Sequence, residues 1–487
     1  MSNGTILAFA LLAPLLGAGL IAFLDRWPKV REAINLLSAF SLLSLVLILL
    51  RHLNTGDSIA FSFLEVMPGL HLAFMVEPLG LLFASVASSL WIITSIYTIG
   101  YMQAHREEHR TRFCTFFALT IAAAIGIAFA GNCFTLFIFY EMMTLVTYPL
   151  VTHHGTEDAM RAGRIYLGYL FGTSVAFFLL AITWTWFLAG TLDFKAGGIL
   201  AGKAGNTTLL VLLALYVFGI GKAALMPFHR WLPAAMVAPA PVSALLHAVA
   251  VVKAGVFSVM KIVVYVFGID LLRETGLSVW LMYVSAATIL IASLIALTKD
   301  NLKTRLAYST VSQLSYIVLG AALANAWGVI GGSMHIIMHA FGKITLFFCA
   351  GAIDVATHKT KISEMSQIGK IMPVTMTAFL IGSLSVIGLP PFGGSWSKWY
   401  LIMGAVSAGH TILVGVLMVS SLLNIAYLMP IVVRAFFIGS SNPTGETKVK
   451  EAPLTCVIPL CITAVGCLVL FFFANDLYQF LSRLVQS

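Results

Sequence analysis

Charge is what this sequence has least of. Only 10% of its 487 residues are Asp, Glu, Lys or Arg, where a soluble domain carries roughly 25%. Hydrophobic residues make up 60%, so lipid is the solvent for most of the chain. Nucleotide signatures are missing too. No GxGxxG and no GxxxxGK[ST] occurs, which leaves no cofactor implied and assigns any energy source to a partner or an ion gradient. Cys114, Cys133, Cys349, Cys456, Cys461 and Cys467 lie in or beside apolar runs, without a CxxC pair or a histidine spacing that suits a metal. They read as packing residues, and no metal site is expected. The formal charge of +9 does not indicate nucleic acid, because the basic residues form short clusters between apolar runs and not a stripe with aromatic partners. The first apolar run, Ile6 to Leu24, is too long for a signal-peptide core and has no cationic segment before it, so it reads as a retained helix.

What the sequence has is long apolar runs. A span needs about 20 apolar residues. That rule selects segments near 5–24, 34–51, 78–101, 113–130, 132–151, 165–189, 208–226, 239–267, 278–298, 306–324, 327–351, 373–393, 410–438 and 454–475. The expected fold class is therefore an all-α integral membrane protein of about fourteen transmembrane helices. Loop charge tests the count, because loops on the inner face are enriched in Lys and Arg. Loops after odd-numbered segments hold eighteen of the 28 basic residues, and the other loops and the tail hold five. The alternation predicts both termini on the outer face. Residues 52–77 are too polar to span and predict an outer excursion with short strands in IAFSF and LHLAFMV, and 439–453 reads as an inner loop.

The other five basic residues, Lys222, Lys253, Lys261, Lys343 and Lys398, fall inside the apolar segments. Each costs on the order of 2.5–3.5 kcal/mol at mid-membrane, so pairing or function is expected of them. Glu141, in FTLFIFYEMMTLVTYPL, is the one acid deep in a span. A carboxylate near Lys222 would raise its proton affinity while desolvation lowers it, so making and breaking such a pair would load and release a proton. Lys222 follows glycines and precedes Pro227, and Lys398 follows Pro390, Pro391, Gly393 and Gly394. Both predict discontinuous helices, tolerated at membrane depth only where they line a cavity or site. Their separation suggests two half-repeats, around helices 4 to 8 and 9 to 13.

His335, His339 and Lys343 are spaced four apart, which keeps them on one helical face with about 40° of drift per step. Such a row suits stepwise proton transfer with water bridging the gaps. His247 and Lys253, six apart, do not share a face but can border one hydrated layer. A lone membrane histidine is more often a satisfied interhelical donor, and a buried ion pair can merely fix packing; it is the clustering that favours transport. Lys261, near a helix end, is expected to snorkel. Glu77, at the start of helix 3, is explained by the helix dipole.

The runs FYEMMTLVTYPL, GKAALMPFHRWLPAAMVAPAPVSALLHAVAVVKAG, KDNLKTRLAYSTVSQLSYIVLG, MHIIMHAFGKITLFFCAG and GLPPFGGSWSKWYL carry a resemblance. Over roughly residues 70–435 the chain resembles the antiporter-like subunits shared by respiratory complex I, membrane-bound hydrogenases and Mrp-type cation/proton antiporters. Its length and the lysine in SKWY make it most similar to the D-type Mrp subunits. The resemblance implies two inverted five-helix repeats with two discontinuous helices. It divides the chain into an N-terminal segment (1–105), a first repeat (106–270), a second repeat (271–438) and an inner loop with the last helix (439–487). It makes Glu141 and Lys222 the glutamate–lysine pair, Lys253 the central relay lysine, His335 and His339 the central histidines, and Lys398 the terminal lysine. His247 and Lys343 are secondary relay candidates. The implied function is proton translocation in a multisubunit Na⁺/H⁺ antiporter of a bacterial inner membrane, among other membrane subunits. The alternative is a non-redox pump subunit of an NADH dehydrogenase or hydrogenase. A serine–histidine hydrolase is disfavoured, since no serine shares a motif with a base and an orienting acid.

Overall fold

The computed structural model describes residues 3–245, 250–438 and 449–485. His247 and most of the polar tract after Ile438 therefore lie outside the described residues. The chain begins with α1 (Asn3–Ala22) and α2 (Pro28–Asn54), crosses a hairpin of β1 (Ala60–Met67) and β2 (Leu70–Met75), and continues through α3 (Pro78–Ala104), α4 (Arg110–Ala128) and α5 (Cys133–Val151). The two strands pair antiparallel where the excursion was expected, with irregularities between Ser62 and Leu64 and between Glu65 and Met67. Next come α6 (Glu157–Thr173), a π turn at Ser174–Phe178, α7 (Leu179–Ala189), α8 (Asn206–Gly219), α9 (Trp231–Ala234), α10 (Ala240–Ala244), α11 (Val251–Ile262), a second π turn at Val263–Phe267, and α12 (Ile269–Thr275). The remainder is α13 (Val279–Thr298), α14 (Leu302–Ala322), α15 (Ala326–Thr357), α16 (Ile368–Ile371), α17 (Pro373–Ile387), α18 (Gly394–Ser407), α19 (Thr411–Phe437), α20 (Leu454–Phe472) and α21 (Ala474–Ser482).

Among the described residues ten helices are long and apolar enough to cross a membrane, or eleven if α11 and α12, bent by 80°, form one span. The protein is a multi-pass, essentially all-α membrane protein. Apolar side chains such as Phe23, Phe187 and Phe437 are at least 80% exposed, which suits lipid and not water. α15 is the axis: 89% of its apolar window is buried against 28% for α2, and it packs on α3, α14, α17, α18 and α20.

One segment differs from its expected helix, and a second is interrupted where its prolines and glycines predict. The run 239–267 is not one α-helix: Ala250, immediately before α11, takes φ −117° and ψ −81°, outside the helical region. Around residue 390, α17 stops at Gly388 with φ +88°, a conformation glycine adopts without penalty. α18 restarts at Gly394, where a side chain would stand 1.9 Å from the Ser385 carbonyl oxygen.

Lys261 does not snorkel. It is fully buried, its Nζ lies 2.6 Å from Glu77 Oε1, and it donates to the Ala130 carbonyl at 2.6 Å. Glu77 is the N-cap residue of α3 but makes no side-chain cap hydrogen bond, so the dipole alone does not account for it. In a sealed environment the ammonium gains more from a carboxylate and a carbonyl than from stretching toward headgroups.

Two predictions follow from this packing. A Cβ at Gly255 would lie 2.2 Å from the carbonyl carbon of Lys222, so Gly255→Val should destabilise by about 1–3 kcal/mol. Gly19, with nothing within 4 Å, should tolerate Ala; thermal melting in detergent compares the two. Lys261→Met strands a buried carboxylate and should lose about 3–5 kcal/mol, most of it restored by adding Glu77→Gln. A single variant as stable as the parent would show the pair to be energetically idle.

Candidate functional site

The first break builds a lysine socket. α8 ends at Gly219, the chain makes a tight turn over Gly221–Ala223, and Ala224 takes φ +53°. Unwound backbone must be satisfied internally at this depth. Trp231 Nε1 donates to the Gly221 carbonyl at 3.0 Å, and the Lys222 N–H donates to the Tyr140 hydroxyl at 3.0 Å. The fully buried Lys222 side chain runs to α5, where Nζ donates to the Tyr140 carbonyl at 2.8 Å and to Thr144 Oγ1 at 2.6 Å. It also lies 3.2 Å from the Tyr140 ring centroid.

Glu141 is the next residue on α5, yet among the described ion pairs none joins it to Lys222. Its carboxylate oxygens are shielded from solvent and lack a hydrogen bond of normal geometry among the described residues. The two groups are neighbours close enough to interact electrostatically, without an ion pair within 4.0 Å among the described residues. Glu141 shares its helix face with Ile138 and Leu145, 41% and 57% exposed.

The second half of the site is a connected polar chain. Lys253 Nζ lies 2.6 Å from His339 Nδ1, the ammonium donating to the ring nitrogen. The His339 ring stacks on His335 with centroids 5.6 Å apart. His335 meets Ser397 Oγ through Nδ1 at 2.9 Å and Gln313 Oε1 through Nε2 at 3.1 Å. With the Asn424 amide oriented to satisfy its neighbours, its oxygen accepts from Gln313 Nε2 and from Lys398 Nζ, each at 3.1 Å. Lys398 also donates to the Ile387 carbonyl at 2.7 Å and to Ser421 Oγ at 3.2 Å. That carbonyl belongs to the last residue of α17, where the helix dipole favours a cation. Gly388 leaves the room: a Cβ there would stand 2.7 Å from Lys398 Cδ.

Lys343 departs from the expected common face. It donates to Ser309 Oγ at 2.5 Å and to the Leu306 carbonyl at 3.2 Å, both on α14. Two steps of about 40° turn it about 80° from His335, enough to aim it at a different neighbour. It rejoins the chain indirectly, since Ser309 Oγ lies 2.7 Å from the Tyr427 hydroxyl, which receives the Asn424 amide hydrogen at 2.6 Å.

The structure thus brings Lys253, His335, His339 and Lys398 into one chain of polar contacts, with Lys343 on a branch and Lys222 and Glu141 at a separate station. Gln313, Asn424, Tyr427, Ser309 and Ser397 complete the connections and were not singled out from the sequence. Their signal was polar residues inside apolar runs, STVSQLSY and SSLLNIAY.

The fold is that of a chain in the "Structure of Mrp complex from Dietzia sp. DQ12-45-1b", with a TM-score of 0.89, 22% identity, and 99% of this chain and 97% of that one covered. In sequence the chain is 34% identical over 405 residues to NADH-quinone oxidoreductase subunit N of Desulforudis audaxviator, covering 80% of this chain and 79% of that protein. It is 28% identical over 447 residues to hydrogenase-4 component B of Escherichia coli, covering 86% of this chain and 65% of that protein. Residues 130–424, which hold Glu141 and every member of the polar chain, match the family model described as NADH:quinone oxidoreductase/Mrp antiporter, TM. The chain therefore belongs to the NADH:quinone oxidoreductase/Mrp antiporter family of membrane proteins.

Proposed function

We propose that this chain is the proton-translocating subunit of a multisubunit antiporter that exchanges Na⁺ or a similar monovalent cation for H⁺ across a bacterial inner membrane. The observation that carries this reading is the polar chain from Lys253 through His339, His335, Gln313 and Asn424 to Lys398. The lysines and histidines can hold or pass a proton, the two amides hydrogen-bond them into one row, and a structural ion pair needs none of these neutral links. In this reading the chain crosses the membrane fourteen times, with inverted repeats over 106–270 and 271–438 and both termini on the outer face.

In the arrangement described, Lys222 donates to a carbonyl and a hydroxyl and has Glu141 as a nearby charge, not as a direct hydrogen-bond partner. Approach of Glu141 stabilises a proton on Lys222, and withdrawal lets it leave toward Lys253. No hydrogen bond links those two lysines among the described residues, so water bridges that step. Gly255, packed on the Lys222 backbone, keeps the gap short. Ile138 and Leu145 flank Glu141 on an apolar exposed face, where a neighbouring membrane subunit would pack and set the carboxylate's environment.

The second reading is a proton-pumping membrane subunit driven by electron transfer elsewhere in its complex, favoured by the likeness to a quinone oxidoreductase subunit and a hydrogenase component. Purifying the intact assembly, identifying its partners, and measuring ion flux in vesicles at varied Na⁺, K⁺ and pH separates the two. Iron–sulfur or quinone-reactive partners would decide for the second.

Glu141→Ala and Lys222→Ala should each reduce proton flux to background while assembly persists; an active Glu141→Ala complex ends the proposed role. Asn424→Leu keeps the side-chain size but removes both amide functions. It should lower flux by roughly tenfold or more, less than the roughly 10²–10⁴ of a group that itself transfers the proton, and cost about 1–3 kcal/mol of stability because buried partners are left unsatisfied, with assembly retained. Undiminished flux would remove Asn424 from the path.

A further inference from the structure

The ends of the two best-buried long helices meet at a cluster that the proton path does not use. α3 ends at Ala104 with His105 as its C-cap, and α15 ends at Thr357 with His358 as its C-cap. Asp354, one turn back on α15, places Oδ2 3.5 Å from His105 Nε2. One ligand atom from each of His105, Asp354 and His358 lies within 4.8 Å of the other two. Two imidazoles and one carboxylate on two helices form the donor set of a first-row transition-metal site with open positions. Both helix C-termini also turn their negative dipole ends toward this spot, which favours a cation.

The side chains are braced for the task. The His105 ring stacks on Tyr101 with centroids 4.3 Å apart and meets His358 edge-on at 6.3 Å. His358 sits at φ +55°, where its N–H donates to the Asp354 carbonyl at 2.8 Å. Glycine would take that position with less strain, yet the chain carries an imidazole there. Access exists as well: His105 lines a cavity of about 490 Å³ that also holds Glu107, His109, His153 and His154.

We propose that His105, Asp354 and His358 bind a divalent first-row transition cation of the zinc class and clasp the end of α3 to the end of α15. Bonds of about 2.0–2.2 Å bring tetrahedral ligand atoms to about 3.5 Å from one another, so shifts of about an ångström close the site. His358 is exposed and leaves the remaining coordination to water. α15 also carries His335 and His339, so a bound metal restrains the helix that holds the central relay.

The test is zinc binding to the purified full-length chain by equilibrium dialysis, with Co²⁺ absorption reporting the ligand geometry. The parent should hold one zinc more per chain than His358→Gly, which relieves the backbone and preserves folding. Asp354→Asn should weaken binding on the order of tenfold or more. A His153→Ala/His154→Ala double variant, which dismantles the neighbouring pairing of both rings with Glu107, should bind like the parent. Equal zinc in the parent and His358→Gly, or loss of zinc only in the His153/His154 variant, would overturn the assignment. Zinc should also raise the melting temperature of the parent and leave that of His358→Gly unmoved.

Discussion

The constraint on which this protein depends is that an ammonium placed among apolar helices must find oxygen or nitrogen to replace the hydration it had in bulk water. Main-chain carbonyls meet most of that demand. Lys222 uses Tyr140, Lys261 uses Ala130, Lys343 uses Leu306 and Lys398 uses Ile387. Ala130 lies just past the end of α4 and Ile387 at the end of α17, where carbonyls are free of helical partners. A neutral carbonyl solvates a cation without fixing its proton, whereas a carboxylate holds the proton in place. Only Lys261 combines a carboxylate with its carbonyl, and it is the lysine farthest from the polar chain in chemical character.

The two broken spans solve one problem in two ways. At Lys222 the break is a tight turn tied down by Trp231 and Tyr140, and the lysine reaches sideways to α5. At Lys398 the break comes before the lysine, which turns back onto the end of α17 across Gly388. In both, the interruption frees polar backbone and removes bulk, and a neighbouring helix supplies a hydroxyl from Thr144 or Ser421. Glycine and proline are tolerated here because the freed groups are re-satisfied locally.

Much of this was legible in the sequence, for physical reasons. Charge is so scarce that each lysine in an apolar run announced itself, and Pro390, Pro391, Gly393 and Gly394 marked a break that no regular helix accommodates. The hairpin after α2 showed in its polarity. The partner of Lys261 was not legible: Glu77 lies far away in sequence, and each end looked ordinary alone, one a snorkelling cation and the other a dipole-stabilised acid. Gln313, Asn424 and Tyr427 were missed because they are neutral and their meeting depends on how α14, α15 and α19 pack. The face shared by His335, His339 and Lys343 was predicted from spacing, but the drift per turn sent Lys343 to Ser309.

What holds still and what can move follows from the same contacts. α11 is fixed at two points, by Gly255 against the Lys222 backbone and by Lys261 on Glu77, and Lys253, two residues before the first of them, is carried on the same helix. Glu141 has no hydrogen bond of normal geometry among the described residues, its polar neighbours being Ser174 and Lys222. It sits on the face of α5 that carries Ile138 and Leu145, and no ion pair anchors it among the described residues. A switch needs one fixed element and one that responds to its surroundings. In the proposed mechanism the lysine sockets would supply the first, and Glu141, beside the exposed Ile138 and Leu145 of α5, the second. In that mechanism an event outside this chain would change which state of Lys222 is stable without any large motion within it.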